Sequence, residues 1–383
     1  MSQSSDLGPN QALIGRPGSR HQLATPALIV ELGALERNIA KMARDHAAIG
    51  LNLRPHAKTH KSAAIARRQI DAGALGICCA TLREAEAMAA GDIPGVHLSS
   101  PVVGDGKLQR LAALNAEAEG LMVVVDNQQN LAQLDEAAEA SGKSLNVLVD
   151  IDVGMARTGV GTVEGAVRLA RTVSDAEHLT YRGIQGYSGM VQHIEHFGER
   201  TEVYGAHLDH LRDVIEALRD AGLAPEIVSG GGTGTHGIDR EAGLFTEHQA
   251  GSYIFMDVEY NAVEFGGTGG PPFETALFVQ CSVVSNNAEG FVTIDGGFKC
   301  FATDGPKPQV AATSIEGAGF DRFGDEHGKV ILPEGANEKP GLGEAILLIT
   351  PHCDPTVNLH NYYHVVDGDT LVDIWPVDAR GVL

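Results

Sequence analysis

Residues 121–154 read LMVVVDNQQNLAQLDEAAEASGKSLNVLVDIDVG. Leu121–Asp126 and Leu145–Val153 are short apolar runs, and Leu131–Ala140 between them carries its apolar residues at helical spacing. Strand, helix, strand within one short segment is a βαβ unit, and a βαβ unit implies a parallel pair.

The alternation continues in both directions. Upstream, apolar runs fall at Ala27–Leu32, Leu51–His56, Gly76–Thr81 and Val96–Pro101; downstream they fall at Tyr181–Gly189 and Glu226–Gly230. Helical patterns separate them: one around Leu35, Ile39 and Met42, then Ala63–Ile70, Leu82–Ala90, Leu108–Ala118, Val163–Val173 and the long Glu202–Gly222 stretch, which Gly222 can stop. Eight strands with seven intervening helices predict a (β/α)8 barrel over residues 25–265, with an open doubly wound sheet as the alternative. Past Gly266–Pro272, read as a loop or linker, the texture changes. Ala276–Val284, Gly290–Ile294, Lys329–Leu332, Ala345–Thr350 and Tyr362–Val366 are β-rich, and long helical patterns stop. The expected fold class is therefore α/β, a barrel plus a C-terminal mostly-β domain over 266–383, with residues 1–24 as a candidate contribution to it.

Composition narrows the function. With 28 Lys+Arg against 50 Asp+Glu the net charge is −22, which argues against nucleic acid and against an anionic membrane surface. Five cysteines, with Cys78 and Cys79 adjacent, suggest reduced thiols rather than a disulfide framework. The N-terminal segment lacks the apolar stretch of a signal peptide and no run is long enough to span a bilayer, so a soluble, cytoplasmic protein is expected.

Arg54-Pro55-His56-Ala57-Lys58-Thr59-His60-Lys61 places Lys58 at a strand-to-helix junction among two histidines and two further cations. Such surroundings disfavour the ammonium form and predict a depressed pKa, as a Schiff-base lysine needs; a solvated basic surface is the plain alternative. Ser229-Gly230-Gly231-Gly232-Thr233-Gly234-Thr235 follows the last barrel run, where barrels hold phosphate, and glycines there let N–H groups converge on an anion. No Gly-Lys-Ser/Thr follows, so it is not a Walker loop. In His352-Cys353-Asp354, read as extended, His352 and Asp354 face the same way and can hold a divalent ion; the carboxylate leans toward Mn²⁺ or Mg²⁺ over Zn²⁺. Gly186-Tyr187-Ser188-Gly189 and the following His193 extend from the Tyr181–Gly189 strand toward the catalytic face, and Arg157 ends the strand before it. His193, with an ordinary pKa of ~6.5, is the candidate general base.

Taken together, His-Ala-Lys58-Thr-His-Lys, Gly-Tyr187-Ser-Gly…Gln-His193, Ser229 through Thr235, Gln249-Ala-Gly-Ser-Tyr253-Ile-Phe-Met-Asp257 and His352-Cys-Asp354-Pro-Thr resemble the D-threonine aldolase and 3-hydroxy-D-aspartate aldolase family, which is related to eukaryotic D-serine dehydratase. The resemblance covers nearly the whole chain, from Thr25 to Gly381. It implies an alanine racemase-like fold, pyridoxal 5′-phosphate and a homodimer. Lys58 would carry the cofactor. Ser229, Gly231, Gly232 and Thr233 would hold its phosphate, with Tyr187 nearby, and Tyr253 belongs to the same cofactor-binding set. Arg157 would contact the ring substituents, His352 and Asp354 would hold a divalent ion, typically Mn²⁺, and His193 would be the base. The dehydratase branch carries His-x-Cys at the metal position; Asp354 departs from that pattern and sides with the aldolases. The implied reaction is cleavage of a small D-β-hydroxy-α-amino acid to glycine and an aldehyde. Metal-assisted β-elimination to an oxoacid and ammonia is the alternative, a racemase and a non-catalytic cofactor carrier the weaker ones. D-Threonine, 3-hydroxy-D-aspartate and phenylserine types all suit the chemistry.

Overall fold

The computed structural model describes residues 7–266, 270–312, 314–336 and 339–381. Of the expected linker Gly266–Pro272, residues 267–269 lie outside the described residues.

Strands β1 (Ala27–Glu31), β2 (Asn52–Leu53), β3 (Cys78–Cys79), β4 (His97–Leu98), β5 (Met122–Val125), β6 (Leu145–Ile151), β7 (Leu179–Gly186), β8 (Ile227–Gly230) and β9 (Glu247–His248) fill the first two-thirds of the chain. All but β1 form one parallel eight-stranded sheet ordered β2-β9-β8-β7-β6-β5-β4-β3. A parallel bridge between His56 and Cys78, with the Cys78 N–H donating to the Pro55 carbonyl at 2.8 Å, joins the two end strands and closes the ring. Helices α1 (Leu32–Ala47), α2 (Ala63–Asp71), α3 (Leu82–Ala90), α4 (Asp105–Glu117), α5 (Gln128–Ser141), α6 (Val163–Asp175), α7 (Phe197–Asp220) and α8 (His236–Ala242) intervene or flank. Local chemistry sets their ends. Asn127 accepts the N–H groups of Gln129 and Asn130 to start α5, and Gly142, at φ +69°, ends it in the left-handed conformation.

The barrel has the expected eight strands, but not the expected eight segments. Ala27–Glu31 is not a barrel strand: it pairs antiparallel with β10 (Leu277–Ser285), and a late strand of the chain joins it on its other side. An apolar run declares a buried strand but not its partner. The eighth barrel strand is Glu247–His248, two polar residues with no apolar signature, held because Glu247 pairs with Arg54 and His248 with Asp239. The glycine-rich loop therefore follows the seventh barrel strand, His193 the sixth and Arg157 the fifth.

The second sheet adds β11 (Phe291–Ile294), β12 (Gln309–Val310), β13 (Gly319–Arg322), β14 (Gly328–Ile331), β15 (Ala345–Ile349), β16 (Tyr362–Asp367) and β17 (Thr370–Pro376). Its path is β13-β14-β11-β10-β1-β16-β17, with β15 beside β10 and β12 beside β15. Pairing is antiparallel except between β1 and β16. One apolar core, including Ile77, Val123, Val149, Leu169 and Leu211, lies between barrel strands and helices. Another, including Leu28, Leu35, Phe255, Val279 and Trp375, packs α1 and the 250–256 segment against the second sheet, so apolar burial joins the two parts.

The barrel interior is polar near the carboxyl ends of its strands. Arg54 grips Glu247 through two hydrogen bonds of 2.8 and 2.9 Å, both side chains almost wholly buried. Gln185 donates to Asp150 at 2.8 Å, and Gln249 donates to Gln185 and Ser229 at 3.0 Å each. Such an interior is costly unless every group is paired, and removing one partner of a buried ion pair costs about 3–5 kcal/mol.

Candidate active site

Lys58 sits in the single 3₁₀ turn Ala57–Thr59 that follows β2, and His56 Nδ1 accepts its N–H at 3.3 Å. The Lys58 ammonium donates to Asp354 Oδ2. The expected depression is therefore reversed: burial works against the ammonium, but the Asp354 carboxylate outweighs it and Lys58 is raised above its ordinary value. The cations meant to lower it are occupied elsewhere. Arg54 is bound to Glu247, and Lys61 donates to Asn358 at 2.9 Å and lies 3.5 Å from Glu84. Their charges are matched before they reach Lys58.

Asp354 reaches this lysine and His352 bears on Asp354 electrostatically, though the two are not residues of one strand. His352 is extended (φ −143°, ψ 124°) and begins the short helix α10 (Cys353–Val357), following a still shorter helix α9 (Val258–Asn261) earlier in the chain. Asp354 lies in the first helical turn. The buried Asp257 sets the geometry by accepting the Cys353 N–H and the Tyr260 N–H, each at 2.8 Å. Burial and its neighbours act oppositely on Asp354: Lys58 and then His352 hold its carboxyl well below the ordinary range despite desolvation. His352 is raised, because the Asp354 charge and a 2.9 Å hydrogen bond to Asp304 overcome burial. With Nδ1 turned to Asp304, Nε2 is the nitrogen open to an ion, the arrangement in which histidine ligands are commonly held. Among the described residues no group of three or more His, Cys, Asp or Glu side chains is placed to hold a metal ion; His352 Nε2 and the Asp354 carboxylate are a nitrogen and an oxygen donor. That donor set fits a divalent ion.

His193 faces the same space. Its ring lies 4.6 Å from the Tyr260 ring and 6.2 Å from the His352 ring by centroids, and Nδ1 is 3.6 Å from Glu259 Oε2. Burial, then the charges of His352 and Lys58, push its pKa down to about 4, below the near-neutral value expected. It is a neutral imidazole at neutral pH, able to take a proton. Tyr187 bears on Lys58 electrostatically, and the half-exposed tyrosine lies under Arg157, whose guanidinium is 5.8 Å from the ring centre.

The glycine-rich loop is a tight cradle. Gly231 has φ +71°, and a Cβ on it would strike His248 and Asp239; one on Gly232 or Gly234 would strike Gln192. Two N–H groups are spent internally, Gly232 on Thr235 Oγ1 at 3.1 Å and Gly234 on Gln192 Oε1 at 2.9 Å. Thr233 Oγ1 accepts the Tyr253 N–H at 3.0 Å. Two of the cofactor candidates point elsewhere. Ser229 Oγ is an acceptor for Gln249 in the barrel floor, and the buried Tyr253 hydroxyl accepts from Gln69 at 3.1 Å. Lys58, Tyr187, His193, His352 and Asp354 thus share one mouth beside a small-residue cradle, an arrangement that fits an aldehyde cofactor with an anionic tail. Asp304, Glu259 and Gln192 went unrecognised in the sequence. Only Gln192 carried a signal, its place next to His193.

The closed barrel, the second sheet and the lysine at the barrel mouth define the alanine racemase-like class. Residues 30–259 match the family described as alanine racemase, N-terminal domain, and residues 276–366 the putative serine dehydratase domain. The chain is 38 % identical over 373 residues to a D-threonine aldolase of Arthrobacter sp, covering 97 % of this chain and 96 % of that protein. It is 37 % identical over 364 residues to a 3-hydroxy-D-aspartate aldolase of Paracoccus denitrificans (strain Pd 1222), covering 94 % and 93 %. The crystal structure of D-threonine aldolase from Filomicrobium marinum superposes with a TM-score of 0.90 at 40 % identity, covering 94 % of this chain and 96 % of that one. A D-threo-3-hydroxyaspartate dehydratase of Delftia sp. (strain HT23) stands at 28 % over 330 residues, covering 84 % and 83 %. The chain belongs to the D-threonine aldolase and 3-hydroxy-D-aspartate aldolase family. Aldolases are carbon–carbon lyases, and the family implies pyridoxal 5′-phosphate together with a metal.

Proposed function

We propose that this protein cleaves the Cα–Cβ bond of a D-β-hydroxy-α-amino acid, of D-threonine or 3-hydroxy-D-aspartate type, to glycine and an aldehyde. The observation that carries the reading is the meeting of Lys58, the neutral His193 and the His352–Asp354 pair at one barrel mouth. Lys58 would hold the cofactor aldehyde. Gly231, Gly232 and Thr233 would line its phosphate, with Ser229 and Tyr253 supporting the cradle from behind, and Arg157 and Tyr187 would border the ring. His352 and Asp354 would hold a divalent ion, the hard carboxylate leaning toward Mn²⁺ or Mg²⁺ over Zn²⁺, with Mn²⁺ the choice the family resemblance implies. When bound, the cofactor ring supplies an electron sink and the ion a Lewis acid.

The chain's own residues do the rest. Asp354, which accepts from the Lys58 nitrogen, fixes where that nitrogen stands. His193 takes the β-hydroxyl proton as the carbonyl of the leaving aldehyde forms, and the electron pair of the broken bond stays with Cα until a proton reaches it. His193→Ala should keep the cofactor's absorbance while turnover falls on the order of 10²- to 10⁴-fold; steady-state kinetics with unchanged turnover would remove His193 from the base role.

The same residues suit β-elimination, in which Cα–H breaks first and hydroxide leaves. The aspartate at position 354 and the higher identity to aldolases favour cleavage. We place the reaction in a cytoplasmic homodimer, with the barrel, which ends by residue 265, as the cofactor unit and 266–383, joined by β1, as the unit carrying the metal pair. Among the described residues no helix is long and apolar enough to cross a membrane.

A further inference from the structure

Gln192 is buried, and each of its side-chain hydrogen-bonding groups is used. Nε2 donates to the Ser188 carbonyl and to Thr235 Oγ1, both at 3.1 Å, and Oε1 accepts the Gly234 N–H at 2.9 Å. One amide thus ties the loop after β7, which carries Tyr187 and His193, to the loop after β8. The polarity of the chain of bonds is fixed. Thr235 Oγ1 accepts from Gln192 and from the Gly232 N–H, so its own proton goes to Asp239 Oδ2 at 2.6 Å. Asp239 is fully buried and also accepts from the Tyr204 hydroxyl at 2.8 Å, with His248 Nε2 at 3.0 Å. The glycine loop is clamped from below by Asp239 and from the side by Gln192. Contact is so close that a Cβ at Gly232 or Gly234 would meet Gln192 itself.

We infer that Gln192 is a positioning residue that makes the glycine-rich loop and the His193 segment one rigid body, so that an anion seated in the loop fixes where the base stands. The inference rests on the functional reading above. It has a consequence beyond stability: if two sites share one clamp, occupancy of one must be felt at the other.

The test uses full-length protein with ring-labelled histidine, His193→Gln identifying the His193 signal by NMR. Pyridoxal 5′-phosphate and pyridoxal, which lacks the phosphate, are added separately. In the wild type the His193 signal moves further with the phosphorylated form. In Gln192→Met, which keeps the shape and loses the hydrogen bonds, that phosphate-dependent difference disappears and affinity for pyridoxal 5′-phosphate falls roughly 10- to 100-fold, as expected for several lost buried hydrogen bonds. Gln192→Glu, which cannot donate to Ser188 or Thr235, gives the same loss of the difference and decides the matter if the methionine variant does not fold. A wild-type difference preserved in the folded variant overturns this inference alone. Wild-type protein that develops no cofactor absorbance overturns the functional reading and this inference with it.

Discussion

Replacing Lys58 by alanine is expected to abolish cofactor retention and to lower turnover on the order of 10⁴-fold or more, the scale seen when a covalent catalytic group is deleted. The same substitution acts on stability through Asp354, which loses the ammonium that holds its buried carboxyl ionised. Lys58 still touches water, its side chain 38 % exposed, so the cost should be about 1–2 kcal/mol rather than the 3–5 of a fully buried pair. Adding Asp354→Asn removes the stranded charge. The double variant should regain stability in thermal melts without regaining activity. A Lys58→Ala protein that still turned over substrate would place the chemistry elsewhere.

Acid should unfold this protein early. His46, His97 and His236 are packed away from water and His360 is partly so, and desolvation is the leading cause that lowers each: His46 to about 3, the other three to about 4. Their ordinary value is 6.5, so between pH 6.5 and 4 the unfolded chain binds more protons than the folded one. The stability these groups contribute is fully present above pH 6.5 and is lost as pH falls through that window. Each complete shift is worth roughly 3 kcal/mol, and half of it realised at four sites is comparable to the whole stability of a typical domain. Denaturant titrations at stepped pH should show a steep fall below pH 6.5; a flat profile down to pH 4.5 would mean that these histidines charge without unfolding the chain.

The barrel was legible because most of its strands are apolar runs long enough to stand out, as in Met122–Val125 and Leu145–Ile151. It misled at both ends. Ala27–Glu31 has the same texture but spends its hydrogen bonds on strands some 250 and 335 residues further along, a choice that lies in tertiary pairing. Glu247–His248 has no texture at all, because its side chains are there to neutralise Arg54 and to meet Asp239. At the site, residue types were readable and their electrostatics were not. The cations around Lys58 suggested a depressed amine, yet Arg54 and Lys61 are each answered by a distant carboxylate, and the group that governs Lys58 is Asp354. Asp304 and Glu259 escaped notice because each acts through a histidine far from it in sequence.

The most direct test of the proposed reaction is product analysis. Purified protein is given pyridoxal 5′-phosphate and Mn²⁺ and fed D-threonine or 3-hydroxy-D-aspartate, with and without EDTA. Glycine and the corresponding aldehyde, formed only while the metal is present, are the expected result, and the faster substrate names the preferred side chain. Ammonia and an oxoacid would contradict it, making the enzyme a dehydratase and stripping Asp354 of its diagnostic meaning.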